Sequence, residues 1–182
     1  EIRLSLVGSE MCIRDRSQGE FKMFQKEAYT GTLEENYELV LAQLKALIAG
    51  ESDLIANLSN ASALLNVFLE EINWVGFYLV KNNQLVLGPF QGLPACIRIP
   101  FDKGVCGYVA TTKQTALVQN VHEFVGHIAC DSATNSEIVV PIIKDNELMG
   151  VLDIDSPLLN RFSKTDQHYL EKFVQILVES LI

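Results

Sequence analysis

From Thr32 the apolar residues recur with the spacing of a helix, and from Trp74 they change to short β-rich runs separated by turn signals. A chain that makes this switch and closes on a second helical stretch is confined to the mixed α and β classes. Thr32 and Glu35 carry the pattern of a capping box, and Leu33, Tyr37, Val40, Leu41, Leu44, Leu47 and Ile48 follow at helical spacing until Gly50. Asp53 can cap a second helix through Leu54, Ile55, Leu58, Ala61, Leu64 and Leu65. Trp74 to Val80 and Leu85 to Phe90, joined by Lys81-Asn82-Asn83-Gln84, read as a hairpin, and Cys96 to Pro100 as a further strand. A short helix from Val105 to Thr112, opened by Gly104, precedes a strand at Thr115 to Gln119 and a polar loop from Asn120 to about Ser136. Glu137 to Ile143 and Leu148 to Asp155 form a second hairpin around Lys144-Asp145-Asn146-Glu147. A last helix, capped by Ser163 and Asp166, carries Leu170, Phe173, Val174, Leu177 and Leu181. The order predicts an α+β fold, a mostly antiparallel sheet with its helices packed on one face.

Residues 1–16 stand apart. They have neither helical nor strand periodicity and look like the translation of a sequencing-library adapter, so they are set aside as a non-native leader together with Cys12, leaving 21–182 as a single domain. The net charge of -9 is unchanged by that cut. A negative chain without a basic cluster argues against nucleic acid or an anionic membrane as partner, and small molecules and soluble proteins remain. No run reaches the roughly 18 apolar residues of a membrane span, and the start lacks the features of a signal peptide, so a cytoplasmic location is expected. In that reducing compartment thiols are unpaired or transiently bonded.

The remaining cysteines are Cys96, Cys106 and Cys130. Their wide spacing lacks the close ligand pairs of a structural zinc site, and no metal ligand is assigned. Cys130 sits in the polar run His127-Ile128-Ala129-Cys130-Asp131-Ser132-Ala133-Thr134-Asn135-Ser136-Glu137, a poor core environment and a plausible one for a nucleophile. Cys106, inside the apolar-rich segment Val105 to Ala110, reads as a small core residue, and Cys96 is ambiguous. His122 and His127 lie near Cys130 in sequence, but a loop histidine is more often solvated, and neither is given a catalytic role.

On the strand Leu148 to Asp155 the period of two puts Met149, Val151, Asp153 and Asp155 on one face. The pair of carboxylates either leaves the strand end for solvent or, with Glu137 on the preceding strand, forms a cation-binding pocket. A tight turn centred on Asp145 and Asn146 pairs Glu137 with Ile154, on the wrong face, so convergence of all three acids requires a bulge or a Glu137 outside the regular pairing. Trp74 and Tyr78 share a face with Gly76 between them, either as packed core or as a ligand wall with room for something bulky.

The segment 126–141, Cys96 and Cys106 at their spacings, and Gly150-Val151-Leu152-Asp153-Ile154-Asp155 together resemble the free methionine-(R)-sulfoxide reductases, which are GAF-domain proteins; the likeness runs from about Thr32 to the end. The resemblance implies a six-stranded antiparallel sheet flanked by helices, with the pocket away from the long terminal helices. It implies Cys130 as nucleophile, Cys96 as the resolving thiol and Cys106 as a second resolving or auxiliary thiol. It places Trp74, Tyr78, Glu137, Asp153 and Asp155 on the substrate pocket, with an acid such as Glu137 or Asp155 supplying the proton. No bound cofactor is implied; the reductant would be thioredoxin, recharged by NADPH and thioredoxin reductase, and a homodimer is the implied assembly. Crowding of the acids should raise the pKa of at least one of them. The competing reading is a non-enzymatic GAF-type sensor of a small ligand or of oxidants.

Overall fold

The structure, a computed structural model, describes residues 28–126 and 131–180. Cys12, His127, Cys130 and Leu181 lie outside the described residues. Helix α1 (Leu33–Ile48) begins at Thr32, whose hydroxyl accepts from the Glu35 N–H while the Glu35 carboxylate accepts from the Thr32 N–H, so two orphan donors of the first turn are satisfied. Helix α2 (Leu54–Phe68) is capped by Asp53, which accepts from the Ala56 N–H at 2.8 Å. The last helix, α4 (Lys164–Ser180), has Ser163 and Asp166 bonded reciprocally at its start.

Between them run β1 (Trp74–Lys81), β2 (Gln84–Gly92), β3 (Arg98–Pro100), the short helix α3 (Gly104–Thr112), β4 (Ala116–Val118), β5 (Ser136–Lys144) and β6 (Glu147–Ser156). The six strands form one sheet in the order β3-β2-β1-β6-β5-β4, antiparallel at every pairing. The β1–β2 and β5–β6 hairpins turn through Asn82-Asn83 and Asp145-Asn146, all four with positive φ. Asn and Asp tolerate the left-handed region, and a two-residue turn of that hand matches the twist of the strands it joins.

The sheet separates two apolar layers. Val75, Phe77, Ile138, Val140, Leu152 and Ile154 face α1, α2 and α4. The alternate residues Trp74, Tyr78, Val139 and Val151 face the other way and pack with Val105, Cys106, Val109 and Ala110 of α3. The expectation of helices on one face therefore holds for the three long helices and fails for α3. Its apolar residues are too few and too short in period to reveal which side they cover. Cys96 is also displaced from the expected strand: β3 begins at Arg98, and Cys96 lies half-buried in the preceding loop.

Candidate active site

The pocket lies on the α3 side of the two central strands, and strand register builds it. Trp74 of β1 pairs with Asp155 of β6, which pairs on its other side with Glu137 of β5; one step along, Gly76, Asp153 and Val139 form a parallel row. Residues directly opposed on neighbouring strands stand about 5 Å apart, so these two rows gather an indole and three carboxyls on one patch of sheet. The register that does this is irregular. Ile143 pairs with Leu148 but Ile142 with Gly150, leaving Met149 as an extra residue on β6. This bulge moves Glu137 from Ile154 to Asp155 and turns it to the face of Asp153 and Asp155.

Glu137 and Asp153 are each 6% exposed. Burial is the largest influence on the three acids, ahead of their mutual repulsion. It holds Glu137 and Asp155 well above the ordinary carboxylate range, and Asp153 is raised to about 6. Asp153 rises least because it is the acceptor of the group: hydrogen bonds from Cys106, from Glu137 and from the Ile154 backbone favour its charged form. Its Oδ1 nevertheless has no hydrogen-bond partner among the described residues. Desolvation, followed by the charges of Asp153 and Glu137, pushes the Cys106 thiol well above its usual value. Cys106 is thus both the small core residue of the sequence reading and a neighbour of the acids.

Trp74 and Tyr78 are both packed core and pocket wall. The indole stacks on Phe90 with centroids 5.3 Å apart and lies 5.8 Å from the Tyr78 ring. Its Nε1 donates to the Leu93 carbonyl at 3.1 Å, and the Tyr78 hydroxyl donates to the Cys96 carbonyl at 3.0 Å, which ties the Cys96 loop to the pocket. Gly76 leaves the room the sequence suggested, and the bulky occupants are the protein's own rings: a Cβ there would fall 2.3 Å from Phe90 Cβ and 2.7 Å from Trp74 Cη2.

Two residues the sequence reading passed over belong to the site. Asp131 lines the pocket and raises the Asp155 carboxyl further. The amide of Asn73 donates to Asp131 at 2.9 Å and to Thr134 at 3.1 Å, pinning that loop to the start of β1. The adjacency of Asp131 to Cys130 was the available signal; nothing in sequence points to Asn73. His122 is not part of the pocket, and its Nε2 bonds the Asn135 side chain at 2.9 Å. Cys96 is disulfide-bonded and Cys106 is free. The pocket as a whole, also lined by Leu93 to Ala95 and by the start of α3, encloses about 570 Å³ including its open mouth.

A curved-sheet domain with its ligand face covered by one short helix is the GAF architecture, and the GAF domain family matches residues 33–181. The chain is 51% identical over 136 residues to the free methionine-R-sulfoxide reductase of Escherichia coli, covering 75% of this chain and 82% of that one. The solved structure of fRMsr of Staphylococcus aureus in complex with substrate is 53% identical with a TM-score of 0.78, covering 81% of this chain and 96% of that one. The free methionine-R-sulfoxide reductase of Neisseria meningitidis, solved in complex with its substrate, is 42% identical with a TM-score of 0.82, covering 87% and 95%. The chain belongs to the GAF-domain family and, within it, to the free methionine-R-sulfoxide reductases. Among the described residues no helix is long and apolar enough to cross a membrane.

Proposed function

We propose that this protein reduces free methionine-(R)-sulfoxide to methionine, with Cys130 as nucleophile, Cys96 as resolving thiol and thioredoxin as the dithiol donor. The observation that carries the reading is the wall of buried Glu137 and Asp153 and half-buried Asp155 beside Trp74 and Tyr78, with a carboxylate oxygen on Asp153 that has no hydrogen-bond partner among the described residues. Such a wall suits the α-ammonium of a free amino acid, and the aromatic rings suit its methyl-bearing end. The first turn of α3, which has no side-chain cap, lines the same pocket, and its positive dipole end complements the substrate carboxylate.

In the proposed reaction the Cys130 sulfur attacks the sulfoxide sulfur. Oxygen is a poor leaving group unless protonated, and an acid held protonated near neutrality, as burial favours for Glu137 and Asp155, can donate to it. The protonated oxygen leaves as water as the Cys130–methionine S–S bond forms; a water oxygen then attacks the Cys130 sulfur, the S–S bond breaks, methionine departs and Cys130 is left as a sulfenic acid. The Cys96 thiol then displaces its oxygen as water, forming a disulfide that thioredoxin reduces by exchange. The disulfide state of Cys96 and the free state of Cys106 favour Cys96 for this step, and Cys106 falls to a supporting place beside Asp153. The negative pocket also disfavours a standing thiolate at Cys130, so its proton is lost during attack or after the substrate's cation is bound.

The test is a thioredoxin-coupled assay of NADPH oxidation. Free methionine sulfoxide is turned over; a peptide-bound sulfoxide, which lacks the free ammonium and would strand buried charge, is disfavoured by about 10⁴-fold. Equal turnover of the peptide refutes the pocket assignment, and tight binding of the free sulfoxide without any NADPH oxidation supports a sensor instead. Cys130→Ser abolishes activity. Cys96→Ser yields one methionine per protein and stops, whereas Cys106→Ser continues to cycle.

A further inference from the structure

Cys106 enters from α3, Glu137 from β5 and Asp153 from β6, and one donor atom of each lies within 4.8 Å of the others. All three residues are buried. Asp153, only 6% exposed, keeps Oδ1 without a hydrogen-bond partner among the described residues while lining the cavity. We infer that this trio is a binding site for a thiophilic divalent cation, zinc being the natural candidate.

The donor set decides the class of ion. One sulfur and two carboxylate oxygens match zinc or cadmium, whereas magnesium and calcium take oxygen ligands alone. Around a tetrahedral zinc, with Zn–S about 2.3 Å and Zn–O about 2.0 Å, neighbouring donors stand about 3.3–3.5 Å apart. Contraction of the trio by at most about 1.5 Å meets that geometry, within the reach of side-chain rotation. Three protein ligands leave a fourth position, and it opens on the cavity, where Asp155 or water can fill it. Ligation requires the thiolate, and the displaced protons leave to solvent. The sequence hides the site because its ligands are separated by 31 and 16 residues and meet only through the bulged β5–β6 register and the packing of α3. A bound metal would occupy the place assigned above to the substrate ammonium and exclude it; that consequence alone rests on the proposed function.

The test uses metal alone and no turnover. A full-length protein with Cys12, Cys96 and Cys130 replaced by serine keeps Cys106 as its only thiol. Titrated with cadmium, it develops an ultraviolet sulfur-to-metal charge-transfer band that saturates at one equivalent, is displaced by zinc and is untouched by excess magnesium. The band is absent when Cys106 is also replaced by serine or alanine, and Asp153→Asn weakens binding at least tenfold, with circular dichroism verifying the fold of each variant. No band in the single-thiol protein, or undiminished affinity in Asp153→Asn, overturns the site, and neither result bears on whether Cys130 reduces a sulfoxide.

Discussion

Replacing Asp153 by asparagine tests the electrostatic core of the pocket directly. In the folded protein this carboxyl titrates near 6 against an ordinary 3.8, chiefly because burial disfavours its charge. The folded state therefore holds the proton more tightly than the unfolded state. Its favourable contribution is fully present below pH 3.8 and is lost as pH rises through about 6. Each tenfold difference in proton affinity corresponds to about 1.4 kcal/mol, so the loss between pH 4 and pH 7 amounts to about 2 kcal/mol. Asparagine does not titrate, so the variant escapes that loss. Its altered hydrogen bonds to Cys106 and Glu137 add an offset, and loss of the Asp153 charge also lowers the neighbouring Glu137 and Asp155 carboxyls, which relieves the variant further as pH rises. The melting temperature of Asp153→Asn minus that of the wild type should accordingly rise by about 4 to 8 °C from pH 4 to pH 7, at about 2–4 °C per kcal/mol for a chain of this size. Calorimetry of both ligand-free proteins across that range measures the difference. A difference that is flat or falls with pH refutes the assignment of Asp153 as a carboxylate ionised at a cost.

Other perturbations address the frame around the acids. Gly76→Ala forces a methyl against Phe90 and Trp74 and should cost about 1–3 kcal/mol. Because Trp74 is the sole tryptophan, its fluorescence and the urea midpoint should shift together, and an unmoved emission spectrum would show that the indole does not depend on that gap. Tyr37→Phe removes a buried donor that reaches Asp166 at 2.7 Å and joins α1 to the start of α4. A loss of about 1.5–3 kcal/mol in denaturant unfolding is expected for a bond to a charged group, and an unchanged midpoint would mean that solvent or Arg161 replaces it.

The parts of this protein legible in its sequence are those decided within a few residues. Thr32 with Glu35, Asp53, and Ser163 with Asp166 cap helices because their partners lie three residues away. Asn82-Asn83 and Asp145-Asn146 make hairpin turns because their side chains tolerate positive φ. The period of two on β6 puts Asp153 and Asp155 on one face whatever strand lies beside them. What each of those faces meets was not local. One unpaired residue, Met149, decides that Glu137 opposes Asp155 instead of Ile154, and strand periodicity carries no record of such a slip. The packing of α3 over the ligand face, the approach of Cys106 to Asp153 and the tie from Asn73 to Asp131 all join residues far apart in the chain. Burial, a property of the whole assembly, then raises the carboxyls, so the sequence by itself supplied the chemical groups and the tertiary structure decided their company and their charge.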